Sequence, residues 1–220
     1  MLTRESLDVG GGRVGAQVLL AMVGKGGALI SVSASEAKVR GEAEFLLEQE
    51  RELIARAAGI GRNFFILEDF TRRVRAGDKG LREGLYIRAL AAGIDEVLAV
   101  YRSMVLELER EVLSDSTTPL TRIETATSDW ELLLPALCKI AGALESGDVH
   151  GCKILDLVAE HSTSGVPAVR GVAERLLARL GIVLYSQVAH SSDTRARRAN
   201  ALDTRHQRLS PQPSALIPQP

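Results

Sequence analysis

Four side chains in the middle of the chain carry chemistry often used to hold a metal: Cys138, His150, Cys152 and His161. Thiolate sulfur and imidazole nitrogen close tetrahedral zinc sites when their pairs are tightly spaced. Here the four are scattered over the 24 positions from Cys138 to His161. Cysteine is also a common core residue, so they read as structural. Gly24-Lys25-Gly26-Gly27 resembles a phosphate loop only faintly: Gly26 stands where a Ser or Thr must follow the lysine to hold magnesium. A turn after a short helix is the better reading. Gly59-x-Gly61 lacks the preceding strand of a dinucleotide site. No Ser or Cys sits in a nucleophile motif. Glu107, Glu109 and Glu111 fall on the charged side of a long helical pattern, which is a solvated face by default. Trp130, the one tryptophan, sits in an apolar stripe and reads as core. No catalytic, cofactor-binding or metal residue is assigned.

The elements around these residues are helices. In 220 residues, 45% are apolar and 25% charged, as in ordinary globular proteins. The net charge of −1 speaks against bulk nucleic-acid binding, which usually needs a basic excess. The best apolar run, Val14 to Val23, is about half the ~20 residues of a membrane span and contains Gln17. Arg4, Glu5 and Asp8 precede it, so no signal peptide is expected. Two cysteines suit a reducing compartment and exclude a disulfide scaffold.

Residues 1–13, with Gly10-Gly11-Gly12, are expected to be a flexible N-terminus, and Ala28 to Val32 a short extended stretch. Ser35-Glu36 is a plausible helix start. Phe45, Leu46, Leu53, Ile54 and Ala57 form one stripe that Gly59 should stop. Phe64, Phe65, Leu67, Phe70 and Val74 form the next, ending near Gly77. From Glu83 to Leu113, Leu90, Ile94, Val97, Leu98, Tyr101, Met104, Val105, Leu108 and Val112 recur at three- and four-residue steps. That helix would be about 45 Å long, which predicts an elongated bundle. Thr118-Pro119 reads as an N-cap with Pro at the first helical position. Leu120, Ile123, Trp130, Leu133, Leu134, Leu137, Ala141 and Leu144 follow, with a possible restart at a Ser128/Glu131 capping box and a kink or wide first turn at Pro135. A short helix from Val149 to His161 buries Ile154, Leu155 and Val158. After Gly165 and Pro167, the last helix carries Val169, Val172, Leu176, Leu177, Leu180, Val183, Leu184 and Val188.

Residues 191–220 differ. They hold four of the seven prolines and no glycine. Five Arg against two Asp give them a net +3, leaving −4 on residues 1–190. Their few apolar residues show no evident period, so a disordered basic tail is expected, solvated or touching an acidic partner. The fold class is all-α: a helical bundle over residues 14–190 with that tail.

A resemblance adds what composition cannot. Gly84-Leu-Tyr-Ile-Arg-Ala-Leu-Ala-Ala-Gly-Ile-Asp-Glu-Val-Leu-Ala-Val-Tyr-Arg102 is followed by Leu106-Glu-Leu-Glu109 and Val149-His-Gly-Cys-Lys-Ile-Leu155. Gly165-Val-Pro-Ala-Val-Arg170, Leu176-Leu-Ala-Arg-Leu180 and Leu184-Tyr-Ser-Gln-Val188 come next. This ordered series, with Val18-Leu-Leu-Ala-Met-Val-Gly24 before it, resembles the gamma-tubulin complex component family over residues 14–190, nearest to its component-four branch. The resemblance implies a structural, non-enzymatic subunit of the gamma-tubulin ring complex in microtubule nucleation. Its setting would be the cytoplasm and cytoskeleton, at microtubule organizing centres and spindle poles. It implies lateral packing against sibling gamma-tubulin complex components. The family's gamma-tubulin-binding C-terminal half begins beyond the point of divergence after His190, so gamma-tubulin would be reached only indirectly. A fragment, a splice variant or a frame-shifted gene would each read this way. No nucleic-acid or membrane partner is expected. The alternative is a free-standing helical adaptor with an exposed apolar groove. An enzyme with a site inside the bundle would need a constellation that the sequence does not offer.

Overall fold

The computed structural model describes residues 15–16, 18–26, 30–32, 37–39, 48–78, 84–115, 119–147 and 149–209. Helical residues 18–22 come first, then a small antiparallel pair of strands, β1 (Ile30–Val32) and β2 (Ala37–Val39). Its register pairs Ile30 with Val39, Ser31 with Lys38 and Val32 with Ala37. Five helices follow: α1 (Glu48–Ala76), α2 (Leu85–Ser114), α3 (Leu120–Glu145), α4 (Lys153–Ser162) and α5 (Pro167–Leu209). The fold is all-α with one short hairpin resting on α1. Contacts divide the chain into two units, Met1–Leu180 and Gly181–Pro220.

In the first unit α1 is the hub, packing most extensively on α3 and next on α2. Its buried face is Ile54, Ala57, Ala58, Phe64, Leu67, Phe70 and Val74, at helical spacing. From α2 come Leu90, Ile94, Leu98 and Tyr101, all fully buried, and from α3 Leu134 and Ile140. Each such aliphatic side chain contributes roughly 1.5–3 kcal/mol by leaving water. Val169, Val172, Leu176 and Leu180 bury the first turns of α5. Tyr101 joins three elements: its ring lies 5.1 Å from both Phe64 and Trp130, and its hydroxyl donates to the Met22 carbonyl at 2.9 Å.

The expected stop at Gly59 is not there: α1 is one helix from Glu48 to Ala76. Nothing stands within 4 Å of a β-carbon placed at Gly59, whereas Gly61, two residues on, is held to glycine by packing. A β-carbon there would stand 1.7 Å from the Ala21 carbonyl oxygen, so residues 18–22 cross α1 against its bare backbone. A glycine placed for close approach reads in sequence like a breaker. The helix ends instead at Gly77, in the left-handed region at φ 70°. There the Gly77 amide bonds to the Val74 carbonyl and the Asp78 amide to the Arg73 carbonyl, the two bonds of a Schellman cap.

Other boundaries also shift. Ala37–Val39 is extended where a helix had been expected to start at Ser35-Glu36, a pair outside the described residues together with Phe45 and Leu46. Pro119 is the N-cap of α3, one residue earlier than expected for Pro, and offers no side-chain cap. No restart occurs at Ser128, whose hydroxyl bonds back to the Thr125 carbonyl inside the helix. Pro135 lies within a continuous α3 and leaves the Glu131 carbonyl without its helical amide. Phe65, expected in the core, is exposed. The last helix does not finish near Val188. Its backbone stays helical to Leu209, through residues 191–209, where Ala and Arg are good helix formers. The prolines at 211, 213, 218 and 220 lie outside the described residues.

Candidate interaction surface

The residues with metal-binding or nucleophilic chemistry do not converge. Cys138 lies half-buried on α3, with its Sγ 3.5 Å from the Asn63 carbonyl oxygen of α1. Burial pushes its thiol up to about 12, against the opposing pull of Arg62. It is therefore a neutral thiol at physiological pH, without the thiolate that attacks or ligates. Cys152 is exposed at the start of α4, and His150 is exposed in the turn before it. His161 donates from Nδ1 to the Leu157 carbonyl at 3.1 Å. Among the described residues, no three of His, Cys, Asp and Glu gather as metal ligands.

The glycine-rich candidate is explained by packing. Gly24 has φ 73°, its amide bonds to the Ala21 carbonyl, and the Lys25 amide bonds to the Leu20 carbonyl. This is the same cap as at Gly77, closing the helical turn of residues 18–22. Trp130 edges onto Tyr101 in a T-shaped contact, an aromatic wall for the core. Of Glu107, Glu109 and Glu111, Glu111 is engaged. It accepts from Arg122 Nε at 3.0 Å and Nη2 at 2.9 Å, joining the end of α2 to the start of α3. Glu107 and Glu109 are exposed.

The charged surface between α1 and α2 is internally paired. Arg75 donates to Asp95 at 2.8 Å, and Arg102 donates to Glu68 at 3.0 Å and stands 3.7 Å from the other Asp95 oxygen. Arg73 reaches Asp69 at 2.9 Å and also pairs with Glu145 of α3. Arg102 covers the Phe64 ring at 5.4 Å. Individually such exposed pairs contribute about 0–1 kcal/mol. Together they tie α1, α2 and α3 to one another at the surface.

What remains open is apolar. Leu85, Ala92, Ala99, Leu106 and Leu113 stand at every seventh position of α2 and are all exposed, Leu85 at 57%, Leu106 at 53% and Leu113 at 76%. The stripe runs about 42 Å at 1.5 Å per residue. Leu106 also lines a groove between α2 and helical residues 18–22, with Leu19, Leu20, Val23 and Val105. Positions seven residues apart stay on one side of a helix, so these side chains form a single narrow apolar line along α2. Sequence reading passed over this stripe because the denser buried stripe on the opposite face dominates the pattern.

Comparison with known proteins gives this surface a context. The family model "Gamma tubulin complex component N-terminal" matches residues 16–191. Gamma-tubulin complex component 4 of Mus musculus is 30% identical over 185 residues, covering 79% of this chain and 28% of that protein. The Homo sapiens protein of the same name matches to the same extent. A Gamma-tubulin complex component 4 homolog of Medicago truncatula is 31% identical over 163 residues, covering 69% of this chain and 22% of its own length. The chain thus spans about a quarter of the length of the curated relatives it matches. The matched segment contains α1 to α4, the buried part of α5 and the whole exposed stripe of α2. The chain belongs to the gamma-tubulin complex component family, which it joins through that family's N-terminal domain.

Proposed function

We propose that this chain is a structural, non-catalytic module of the gamma-tubulin complex that packs laterally against sibling components in microtubule nucleation. The observation that carries this reading is the family match over residues 16–191, which falls on the helical unit rather than on a loop or a site of chemistry. The exposed α2 stripe supports it physically. A specific interface needs about 800 Å² on each partner, and a helix of 30 residues beside a partner helix can supply that. On this reading residues 16–191, which match the family's N-terminal domain, contact sibling components and not gamma-tubulin itself. The setting is then the cytoskeleton, at microtubule organizing centres. Described helices are nowhere long and apolar enough to cross a membrane.

The test is co-precipitation of the full chain with the N-terminal half of a sibling component and, separately, with purified gamma-tubulin. Sibling capture without direct gamma-tubulin capture is the expected outcome. Leu106→Asp with Leu113→Asp should abolish sibling capture and leave helical circular dichroism unchanged, since both side chains are exposed. Robust gamma-tubulin binding with no sibling present overturns the lateral reading. A second reading, a free-standing adaptor, draws on the apolar groove beside Leu20 and Leu106. It is favoured if neither component is captured while an amphipathic helical peptide binds that groove.

A further inference from the structure

Beyond the matched domain, the far end of α5 carries a pattern that the family reading does not use. The helical backbone continues to Leu209, while the family match stops at residue 191. Along this helix Leu184, Val188, Ser191, Arg195, Arg198, Leu202, Arg205 and Leu209 follow one another at alternating steps of four and three residues. That is the seam spacing of a coiled coil, sustained for about 38 Å. Asp193 and Asp203 both fall at register positions off the seam, so the seam holds three arginine positions and no carboxylate position. Where the seam begins, Val188 is 53% exposed and Leu184 half-buried.

We propose that this face of α5 is a docking seam for an acidic amphipathic helix of another protein, one with carboxylates opposite Arg195, Arg198 and Arg205 and apolar residues opposite Val188, Leu202 and Leu209. Charge selects the occupant. A second copy would bring six arginine positions into one seam with nothing to neutralise them, in either orientation, which disfavours self-pairing. A partner helix with glutamates at the matching positions meets the guanidinium fork with its preferred planar acceptor. The segment from residue 191 carries +3 against −4 for the rest of the chain, so attraction is local to this helix. A polyanion such as nucleic acid or an anionic membrane fits less well. Every other seam site is apolar or small at 184, 188, 191, 202 and 209, and the chain as a whole is net negative.

The experiment uses the full chain and a fluorescent synthetic helix carrying glutamates opposite the three arginine positions and leucines elsewhere in its seam. Fluorescence anisotropy should show binding that weakens with salt. Arg198→Glu with Arg205→Glu should weaken it by about tenfold or more, the size of a lost set of close charge pairs. A peptide with lysines in place of only the two glutamates opposite positions 198 and 205 should restore binding to that variant, which separates charge matching from any general damage to the helix. Failure of the glutamate peptide to bind overturns the proposal. So does equal binding by wild type and the double variant, absence of rescue by the lysine peptide, or tighter binding of an oligonucleotide or of phosphatidylserine vesicles. Dimerisation in sedimentation that Arg198→Glu and Arg205→Glu leave intact while Leu202→Asp abolishes it would assign the seam to a second copy and overturn it too. Because the seam lies outside the α2 stripe, loss of sibling capture and loss of peptide binding report on different faces.

Discussion

The helix α2 and the part of α5 beyond Leu180 are similar in length and carry seam-like apolar repeats, yet they stand in opposite circumstances. On α2 the buried stripe packs chiefly against α1, with Leu90, Ile94, Leu98 and Tyr101 fully buried. In the second unit, Ile182 and Tyr185 are 70% and 76% exposed, and no residue from 181 onward is buried among those whose side chains are described. The same apolar residue types therefore do different work. On α2 they hold the fold together. On the end of α5 they leave a surface, and what they contribute must come from a partner. Substitutions in the two regions should differ by several kcal/mol.

The largest effect is expected at Leu98→Asp. The side chain is fully buried amid the α1–α2 core, and an unpaired carboxylate there costs several kcal/mol. Typical domains hold only about 5–15 kcal/mol in all, so the first unit should unfold or aggregate. Circular dichroism and solubility check this; a soluble variant with native helicity would mean that α2 does not face the core as described. Val188→Asp, at an exposed position of the second unit, should change stability by less than about 0.5 kcal/mol.

Two glycines two residues apart give the next contrast, within α1 itself. Gly61→Ala places a methyl against the Ala21 carbonyl and must push residues 18–22 off the helix, at about 1–3 kcal/mol or more. Gly59→Ala meets nothing within 4 Å and should stabilise the helix by about 0.4–1 kcal/mol. Paired thermal melts decide it, and two shifts of the same sign would remove the crossing at Gly61 as the reason for that glycine.

Tyr101→Phe keeps the ring contacts with Phe64 and Trp130 but removes the hydroxyl that donates to Met22. The expected loss is about 0.5–1.5 kcal/mol, with the Met22 carbonyl left without this partner. Burial holds the Tyr101 phenol well above its ordinary value, so the hydroxyl keeps its proton through the alkaline range. The folded pKa exceeds the unfolded one. Folding therefore favours the protonated phenol, and stability should fall as pH rises above the ordinary tyrosine value near 10. The wild type should lose more than Tyr101→Phe between pH 9 and 11 in urea melts, and identical pH profiles would contradict the burial of that hydroxyl.

Much of this was legible in the sequence, and the failures have a common cause. The α2 stripe was readable because thirty residues of regular spacing average out local exceptions, and the capping glycine Gly77 followed from residue type, whereas Trp130, read as core, is only half-buried beside Tyr101. Gly59 was misread as a stop because a glycine inside a long helix looks like a breaker; nothing packs on it, and the neighbouring Gly61 is required by the backbone of Ala21, 40 residues away. β1 falls within the stretch expected to be extended, Ala28 to Val32, while β2 was read as a helix start because three residues are too few for period two to emerge. The seam on α5 was missed because arginine fills three of its sites, and a search for apolar periodicity discards them. The α2 surface stripe was missed for the opposite reason, since a stronger apolar pattern shares the helix. Sequence periodicity records that a face differs from its surroundings, but whether that face is covered is settled by chain segments distant in sequence.

The smallest expected effect is the most direct test of the comparison. Truncation after His190 removes residues 191–220, including nineteen helical residues of α5. Buried core residues of α5 end at Leu180, and the contact units divide between Leu180 and Gly181. If the first unit is complete without the far end of α5, its melting midpoint should move by no more than the ~0.5 kcal/mol typical of changes away from packing features. The helical signal should nevertheless fall by the contribution of the deleted turns, because these are helical in the full chain. The two readouts come apart only if that helix persists without supporting the core. A midpoint drop equivalent to 2 kcal/mol or more would show that residues 191–209 support the first unit and that the seam is already in use within the chain. An unchanged midpoint with an unchanged helical signal would instead deny the helix beyond His190, and with it the docking seam. A stable midpoint with a smaller helical signal leaves the far end of α5 as a surface that contributes to binding and not to folding.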